Sequence, residues 1–160
     1  MATTVLSTPT SAIRLETVRS LLTRKGSTVW SVTPSNTVYE AIALMDQKQV
    51  GALAVVVDAR LVGIISERDY ARKVILRGRS SRDTLVRDIM TSEVVTVTLD
   101  DTVDECMRIV TDRRIRHLPV LDAHRLAGMV SIGDLVRSII SAQEDALNHL
   151  NAYIGGQYPA

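Results

Sequence analysis

The amino-acid sequence predicts an α/β protein made of two βαββα repeats packed about a pseudo-twofold axis, with an extra N-terminal helix. The first observation is an internal repeat. The segment from Trp30 to Arg72 aligns without a gap with a segment 65 residues later, as the spacings from Gly63 to Gly128 and from Asp69 to Asp134 show. The second is that each copy mixes apolar runs of strand length with segments of helical periodicity. The third is composition: 46% of residues are hydrophobic and only 3% aromatic, so the core must be aliphatic.

Composition and charge exclude several classes of protein. A length of 160 residues suits one compact domain, or two small ones that share a core. The net charge of +1 gives no general attraction to nucleic acid or to an anionic membrane, and no apolar run is long enough to cross a bilayer. A single cysteine cannot form an internal disulfide. Met1–Ser11 lacks the basic and then apolar pattern of a signal peptide, so we expect a soluble cytoplasmic protein.

Before the first repeat, apolar residues at helical spacing predict a helix from Ala12 to Lys25 that ends at Gly26. This helix lies outside the repeat, so we expect it to cover the core or to form an oligomer contact. The predicted organisation is an N-terminal tail and helix (1–27), a first repeat (28–78), a linker (79–93), a second repeat (94–151) and a C-terminal tail (152–160).

The helices of the first repeat begin at capping motifs. Thr37 lies three residues before Glu40, and Ser66 lies three residues before Asp69, which is the spacing of a capping box. An unbroken apolar run between these motifs predicts a buried strand. The predicted elements are the strand Val29–Val32, a helix after Thr37, the strands Ala52–Val57 and Leu61–Ile65, and a helix from Ser66 to about Arg77.

The second repeat follows the same order. A short helix over Leu85–Met90 leads into it, and Thr102 with Glu105 repeats the capping box. Pro119 lies in a predicted strand, where it cannot donate a ladder hydrogen bond, so that strand must be short or at an edge there. The predicted elements are the strand Val94–Val97, a helix after Thr102, the strands His117–Leu121 and Leu126–Val130, and a helix from about Ile132 to Asn151.

Two Ser-x-x-Asp pairs, Ser66 with Asp69 and Ser131 with Asp134, are the candidate functional residues. One interpretation is structural, because each pair fits an N-terminal capping box at a strand-to-helix turn. The other interpretation uses the same geometry. The start of a helix favours phosphate, a serine hydroxyl bonds a phosphate oxygen, and an aspartate accepts the two hydroxyl protons of a ribose diol. The spacing alone leaves both interpretations open.

Three segments resemble the motifs of CBS domains: GIISERD from Gly63 to Asp69, VRDIMT from Val86 to Thr91, and RHLPV from Arg116 to Val120. Two such domains in tandem resemble a Bateman module, and the chain is similar to small stand-alone bacterial proteins of this kind over roughly residues 28–140. The resemblance implies that the protein binds an adenosine-containing ligand in clefts between the repeats. In the family these ligands are AMP, ADP, ATP, S-adenosylmethionine and sometimes NAD(H).

The resemblance also implies roles for individual residues. The aspartate of each pair holds the ribose and the serine helps at the phosphate, so Ser66 and Asp69 would serve one site, and Ser131 and Asp134 the other. The adenine slot would be lined by the first strand of a repeat and by the start of its next strand. The residues at these positions are Val29, Trp30, Val94, Val95, Gly51, Ala52, Arg116 and His117.

The two implied sites are unequal, because the repeats differ where charge matters. The aligned pairs that differ are Arg116 with Gly51, His117 with Ala52, Arg68 with Gly133 and Trp30 with Val95. Arg116 and Arg68 are candidates for phosphate contacts, or else solvated side chains. His117 is a candidate ligand contact or a hydrogen-bonded structural histidine. Trp30 is expected in the core and as a wall of the adenine slot.

We predict a regulatory module that senses energy or redox state through an adenine nucleotide and signals by a change of conformation or assembly. A homodimer and an unknown protein effector are the expected partners. The sequence has no hydrolase motif, P-loop or metal-ligand spacing, so we expect no enzyme, and Cys106 is expected to fill the core. Two alternatives remain open: an interaction protein with empty sites, and a nucleic-acid binder that uses the arginines within 77–87 and 113–116.

Overall fold

Two three-stranded sheets, one for each repeat, organise the structure, a computed structural model that describes residues 15–155. In each sheet the middle strand pairs in parallel with a two-residue strand and antiparallel with the strand that follows it, so the predicted α/β repeat is confirmed. The elements are α1 (Val18–Lys25), β1 (Ser31–Val32), α2 (Val38–Lys48), β2 (Ala52–Val57), β3 (Arg60–Ser66), α3 (Glu67–Tyr70), a π-helical turn (Ala71–Ile75), α4 (Val86–Ile89), β4 (Val97–Thr98), α5 (Val103–Arg113), β5 (His117–Asp122), β6 (Arg125–Ser131) and α6 (Ile132–Ile154).

Capping boxes set where α2 and α5 begin. The hydroxyls of Thr37 and Thr102 accept hydrogen bonds from the N–H groups of Glu40 and Glu105, each at 3.1 Å. In return, each glutamate carboxylate accepts a hydrogen bond from the threonine N–H. Each box satisfies two backbone donors, so both predicted helix starts are confirmed.

The middle strands β2 and β5 are the most completely buried of the six strands. The first four residues of β2 are buried, and this strand has the bounds that its apolar run predicts. In β5, Pro119 lies just before the two residues that pair with β4, Val120 and Leu121, so β5 is an edge there on that side. The two hairpins share an irregularity as well, because the register shifts after Val55 in one and after Val120 in the other.

Each repeat is completed by a helix that precedes the other repeat in the chain. From α1, the side chains of Val18, Leu21 and Leu22 lie in the core of the second repeat. From α4, those of Val86 and Ile89 lie in the core of the first repeat. The N-terminal helix therefore covers a core, as predicted, whereas the predicted lead-in to the second repeat packs on the first. Because the two cores exchange helices, we expect the repeats to unfold as one unit.

Two glycines at equivalent positions permit this exchange. A methyl group on Gly128 of β6 would come within 2.6 Å of Leu22 Cδ1, and one on Gly63 of β3 within 2.7 Å of Met90 Sδ. We expect Gly128→Ala to lower the free energy of unfolding in urea by about 1–3 kcal/mol, because the added methyl group overpacks the core. Gly133→Ala is the control, since its methyl group would lie 3.6 Å from the nearest side-chain atom. Equal stability of the two variants would contradict this account.

The N-terminal helix begins later than predicted. It starts at Val18, because Thr17 caps it by accepting a 3.2 Å hydrogen bond from the Ser20 N–H. Backbone pairing of residues 16 and 17 with residues 102 and 103 also holds that segment extended, so Thr17 does not lie on a helical face as predicted. The earlier part of the predicted helix and the predicted tail, residues 1–14, lie outside the described residues.

Three further boundaries differ from the prediction. The first strands are shorter: in the first repeat the ladder contains only Ser31 and Val32, although the Trp30 carbonyl still accepts a 3.2 Å hydrogen bond from the Ala54 N–H. The helix that follows Ser66 changes to a π-helical turn, where the Leu76 N–H donates to the carbonyl of residue 71, five positions earlier. The last helix continues to residue 154 instead of ending near 151.

Candidate functional site

A cleft of about 690 Å³ lies between the two repeats. Strands β3 and β6 contact each other there, and the helices that follow them, α3 and α6, begin at the cleft. Both Ser-x-x-Asp turns are thus brought to the same region of the molecule. The apolar wall of the cleft consists of Ile64, Val94, Val95, Ile115 and Ile132.

The Ser66–Asp69 pair is a complete capping box. Asp69 Oδ2 accepts hydrogen bonds from the Ser66 N–H at 3.0 Å and from its hydroxyl at 3.1 Å, and the Asp69 N–H donates to the hydroxyl at 3.2 Å. Asp69 Oδ1 forms an ion pair with Lys73 Nζ at 3.0 Å, and that ammonium group also donates to the Ile89 carbonyl. A carboxylate oxygen has two acceptor positions, so Oδ1 retains capacity for a further donor at the cleft.

The Ser131–Asp134 pair is also a capping box, but its aspartate holds more partners. Asp134 Oδ2 accepts a hydrogen bond from the Ser131 N–H at 2.8 Å and another from Lys25 Nζ at 2.5 Å. The Lys25 ammonium also donates to the Met129 carbonyl at 2.7 Å, and Arg137 pairs with Asp134 Oδ1 at 2.9 Å. The capping interpretation is therefore confirmed for both pairs. Only the second aspartate is held by a residue of the N-terminal helix.

Burial and hydrogen bonding act on Asp134 in opposite directions. Burial raises the pKa of this carboxyl group, but the hydrogen bonds from Lys25 and Ser131 and the charge of Lys25 outweigh it, so the pKa lies below the ordinary value of 3.8. The side chain is 10% exposed. Asp134 is thus a charged group whose place in the interior depends on Lys25.

The cleft collects nine of the thirteen predicted ligand-binding residues. The nine are Gly51, Ser66, Arg68, Asp69, Val94, Val95, Arg116, His117 and Ser131. The described residues that line the cleft do not include the other four predicted residues, which are Val29, Trp30, Ala52 and Asp134. Trp30 is 38% exposed, and the Lys48 ammonium group lies 4.2 Å from its ring centre. The expectation that Trp30 lies in the core is therefore wrong.

The pseudo-twofold axis explains where the other four residues belong. With the offset of 65, Val94 and Val95 of the cleft correspond to Val29 and Trp30, and Asp69 corresponds to Asp134. A second, equivalent cleft would therefore contain Asp134 and Met129, the counterpart of Ile64. These are the two residues that bind the Lys25 ammonium group. The Lys25 side chain, at the end of α1, thus contacts two residues of the position that is equivalent to the first cleft.

Two contacts join the repeats at the cleft. Arg68, in the first turn of α3, donates a 2.8 Å hydrogen bond to the carbonyl of Arg114 at the end of α5. Gly51 faces the His117 ring, because a methyl group at position 51 would lie 3.3 Å from His117 Cε1. Arg68 and Arg116 both line the cleft and are exposed. The cleft lining therefore combines apolar side chains with two cationic ones.

His117 gives the cleft a pH-dependent group. Burial lowers the pKa of its imidazole below the ordinary 6.5, and the charges of Lys25 and Arg116 add to this effect while Asp134 opposes it. The unfolded chain therefore binds more protons than the folded one once the pH falls to about 6.5. We expect the melting temperature to fall as the pH is lowered from 7 towards the depressed pKa of His117, and this slope to flatten in His117→Gln. A slope unchanged by the substitution would mean that another titrating group causes the dependence of the melting temperature on pH.

Several residues at the two aspartates were not among the predicted site residues. Lys73 and Arg137 follow their aspartates by four and three residues, so helical spacing alone could have indicated both ion pairs. Lys25 is 109 residues from Asp134 in sequence, and no local signal points to that contact. Glu67 and Glu93 also line the cleft, so with Asp69 its carboxylates outnumber the guanidinium groups of Arg68 and Arg116. In residues 15–155, no group of three or more His, Cys, Asp or Glu side chains could hold a metal ion.

Comparison with known proteins identifies the class of this fold. The model of the CBS domain family matches the chain twice, over residues 18–75 and 86–141. The two matches cover more than half of the sequence. The chain belongs to the CBS domain family, and it is a tandem pair of these domains.

Three relatives illustrate the similarity. The mitochondrial CBS domain-containing protein CBSX3 of Arabidopsis thaliana is 49% identical over 138 residues, which are 83% of this chain and 66% of that protein, just under two thirds of its length. The structure of a putative signal-transduction protein with CBS domains from Burkholderia ambifaria is 49% identical, with a TM-score of 0.76, over 79% of this chain and 96% of the other. A CBS domain pair solved with 5′-methylthioadenosine and S-adenosyl-L-methionine has a TM-score of 0.69 at 24% identity, over 80% of this chain and 98% of the other.

The comparisons bear on location and chemistry as well. None of the helices between residues 15 and 155 is both long and apolar enough to cross a lipid bilayer. The Arabidopsis relative is named as a mitochondrial protein, so the cytoplasmic location stays a prediction from the sequence. The 24% identity to the pair solved with two adenosine derivatives shows a shared fold, and what that protein binds is a property of that protein.

Proposed function

We propose that this chain is a non-catalytic regulatory module that binds one adenosine-containing ligand in the cleft between its repeats. The observation that carries the proposal is the meeting, in one cleft, of the Asp69 carboxylate, the cationic side chains of Arg68 and Arg116, and an apolar wall. These groups suit a ribose diol, a phosphate and a base. The volume of about 690 Å³ suits a ligand of nucleotide size.

Each part of the ligand has a proposed position. The Ser66 hydroxyl turns from Asp69 Oδ2 to the phosphate, which the Arg116 guanidinium group also contacts. The ribose hydroxyls donate to the acceptor positions that are then open on the two oxygens of Asp69. The adenine lies against the apolar wall near Val95, beside Gly51. AMP, ADP, ATP, NAD(H) and S-adenosylmethionine share the adenosine that this arrangement would recognise. The structural likeness to a CBS pair solved with two adenosine derivatives supports this class.

We infer that one ligand binds per chain in the wild-type protein. The equivalent position at the second repeat contains Asp134, whose carboxylate already accepts from Lys25, Arg137 and Ser131. A ribose there would have to displace the Lys25 ammonium group from its 2.5 Å contact. The second Ser-x-x-Asp pair is therefore a capping motif in the ligand-free protein.

The response to ligand would be a change in how the two repeats are held together. The cleft residues come from both repeats, and the Arg68 hydrogen bond to the Arg114 carbonyl crosses between them. A ligand shifts such an arrangement only if it binds one state better than another. Ile75 and Ile140, at equivalent positions of the two repeats, are 56% and 48% exposed. Such surfaces fit a homodimer through which the signal reaches a protein effector.

Two alternatives make different predictions. A protein-interaction module with empty sites would gain no stability from nucleotides, and the complete capping boxes are consistent with this alternative.

A nucleic-acid binder would need its arginines on one face. Arg82 instead stacks on Tyr39 with its guanidinium carbon 4.0 Å from the ring centre, and Arg116 lines the cleft. Arg77 and Arg79 lie in a separate hollow with Lys73. This division of the cations disfavours a nucleic-acid surface.

The test is the melting temperature of the purified protein against AMP, ADP, ATP, NAD, NADH, S-adenosylmethionine and GMP. A ligand that binds only the folded state raises its stability by about 2.7 kcal/mol at 100 times its Kd, which corresponds to a shift on the order of 5–10 °C. We expect a shift for at least one adenosine ligand and none for GMP. A flat response to the whole panel would support the interaction module instead.

A further inference from the structure

The C-terminal part of α6 extends beyond the second CBS domain. The family match ends at residue 141, whereas the helix continues to residue 154. Every residue from 142 to 155 is exposed, so this segment is not packed into either core. A helical segment of this length has little stability of its own, because most helices are stabilised by packing of an apolar face. The apolar face of the extension is therefore a candidate interaction surface.

An apolar seam runs along the outside of α6. Its members recur at alternating intervals of four and three residues, the spacing of core positions in a coiled coil. They are Val136, Ile140, Gln143, Leu147, Leu150 and Ile154. The five aliphatic members are between 39% and 73% exposed. An apolar row of this length on a protruding helix marks an interaction surface.

We propose that the seam pairs with the same seam of a second copy of this chain, as a parallel two-stranded coiled coil. The single polar member, Gln143, would then lie beside Gln143 of the second copy. An amide both donates and accepts, so two glutamines can hydrogen-bond to each other across the seam, where a lone charged residue could not. A polar core residue of this kind also fixes the register of the two helices.

The residues that flank the seam favour the parallel orientation. In a parallel pair, Glu144 lies beside Ile139 of the second copy, and Asn151 lies beside Ala146 of the second copy, so no like charges meet. An antiparallel pair that matches all six seam positions would be centred at residue 145. It would bring the two Glu144 carboxylates together, where they repel.

Cross-linking tests the geometry directly. The protein has one cysteine, Cys106, which is buried and aligns with Ala41, so Cys106→Ala provides a cysteine-free background. In this background we expect Gln143→Cys to form a disulfide-linked dimer almost completely under mild oxidation. The control is Asp145→Cys, in which the cysteine would lie on the opposite face of α6, so this variant should remain largely without the disulfide cross-link. Equal cross-linking at both positions, or none at Gln143→Cys, would overturn the proposal.

Sedimentation tests whether the seam contributes to association in solution. We expect Leu147→Asn combined with Leu150→Asn to weaken self-association at least ~10-fold, because each leucine loses its apolar contact area. The helical signal in circular dichroism should fall with it. The matched control places two asparagines on outer positions, Ala142→Asn with Ala152→Asn. A dimer held only by the folded repeats would sediment identically in both variants, and that result would refute the seam as an interface. This outcome does not depend on which ligand the cleft binds.

Discussion

Asp69→Asn abolishes the rise in melting temperature caused by adenosine ligands, while the ligand-free variant melts close to the wild-type protein. The ribose diol needs an acceptor with free capacity, and the asparagine retains only one oxygen, which the Ser66 N–H already uses in the cap. Loss of charge-assisted hydrogen bonds to the two hydroxyls weakens binding at least ~100-fold, at about 1.5–3 kcal/mol for each bond. The ligand-free effect is small, because the lost partner, Lys73, is 44% exposed.

Isothermal titration calorimetry measures this loss, and Asp101→Asn is the matched control. Asp101 accepts a 2.7 Å hydrogen bond from the Thr98 N–H three residues earlier, as Asp69 does from the Ser66 N–H, but it does not line the cleft. Both variants remove one negative charge from a partly buried turn. Undiminished affinity in Asp69→Asn would remove Asp69 from the site. Equal losses in both variants would mean that the substitutions act through the fold.

Features encoded within a few residues could be predicted from the sequence. The boxes at Thr37 and Thr102, the apolar run that becomes β2, and the Ser-x-x-Asp turns each depend on groups at most a few positions apart. The offset of 65 then transfers each assignment from one repeat to the other. The effect of Pro119 could be predicted for the same reason, because a proline cannot donate a ladder hydrogen bond in whichever sheet its strand lies.

Features that depend on distant contacts could not be predicted in this way. The exchange of α1 and α4 between the cores is decided by which apolar face each helix meets, and the periodicity of a helix does not identify its partner. The predicted inequality of the sites rested on four aligned pairs that differ, and from these Arg68, Arg116 and His117 line the cleft while Trp30 does not. A larger difference comes from Lys25, whose contact with Asp134 joins residues far apart in the chain.

Lys25→Met destabilises the ligand-free protein in a pH-dependent way. Removing the ammonium group leaves a carboxylate that is 10% exposed with Arg137 as its remaining cation, at a cost of about 1–3 kcal/mol. The lowered pKa of Asp134 sets the sign, because its stabilising contribution is present above the ordinary value of 3.8 and is lost as the pH falls through the lower folded value. The difference in unfolding free energy between the wild-type protein and the variant should therefore be largest at neutral pH and should disappear in acid.

The same substitution raises the number of ligands bound per chain from one to two. Without the ammonium group, the Asp134 carboxylate and the Met129 carbonyl are released, and the second repeat offers a ribose the acceptor that Asp69 offers in the first. The control is Arg24→Met, which removes a cation from the preceding position of α1 that pairs with Glu16 at 2.9 Å. Calorimetric titration with the ligand found in the melting panel should give one site in wild type and in Arg24→Met, and two in Lys25→Met. Two sites in the wild-type protein would show that α1 does not block the second cleft, and one site in Lys25→Met would show that the second repeat lacks a site for a reason other than Lys25.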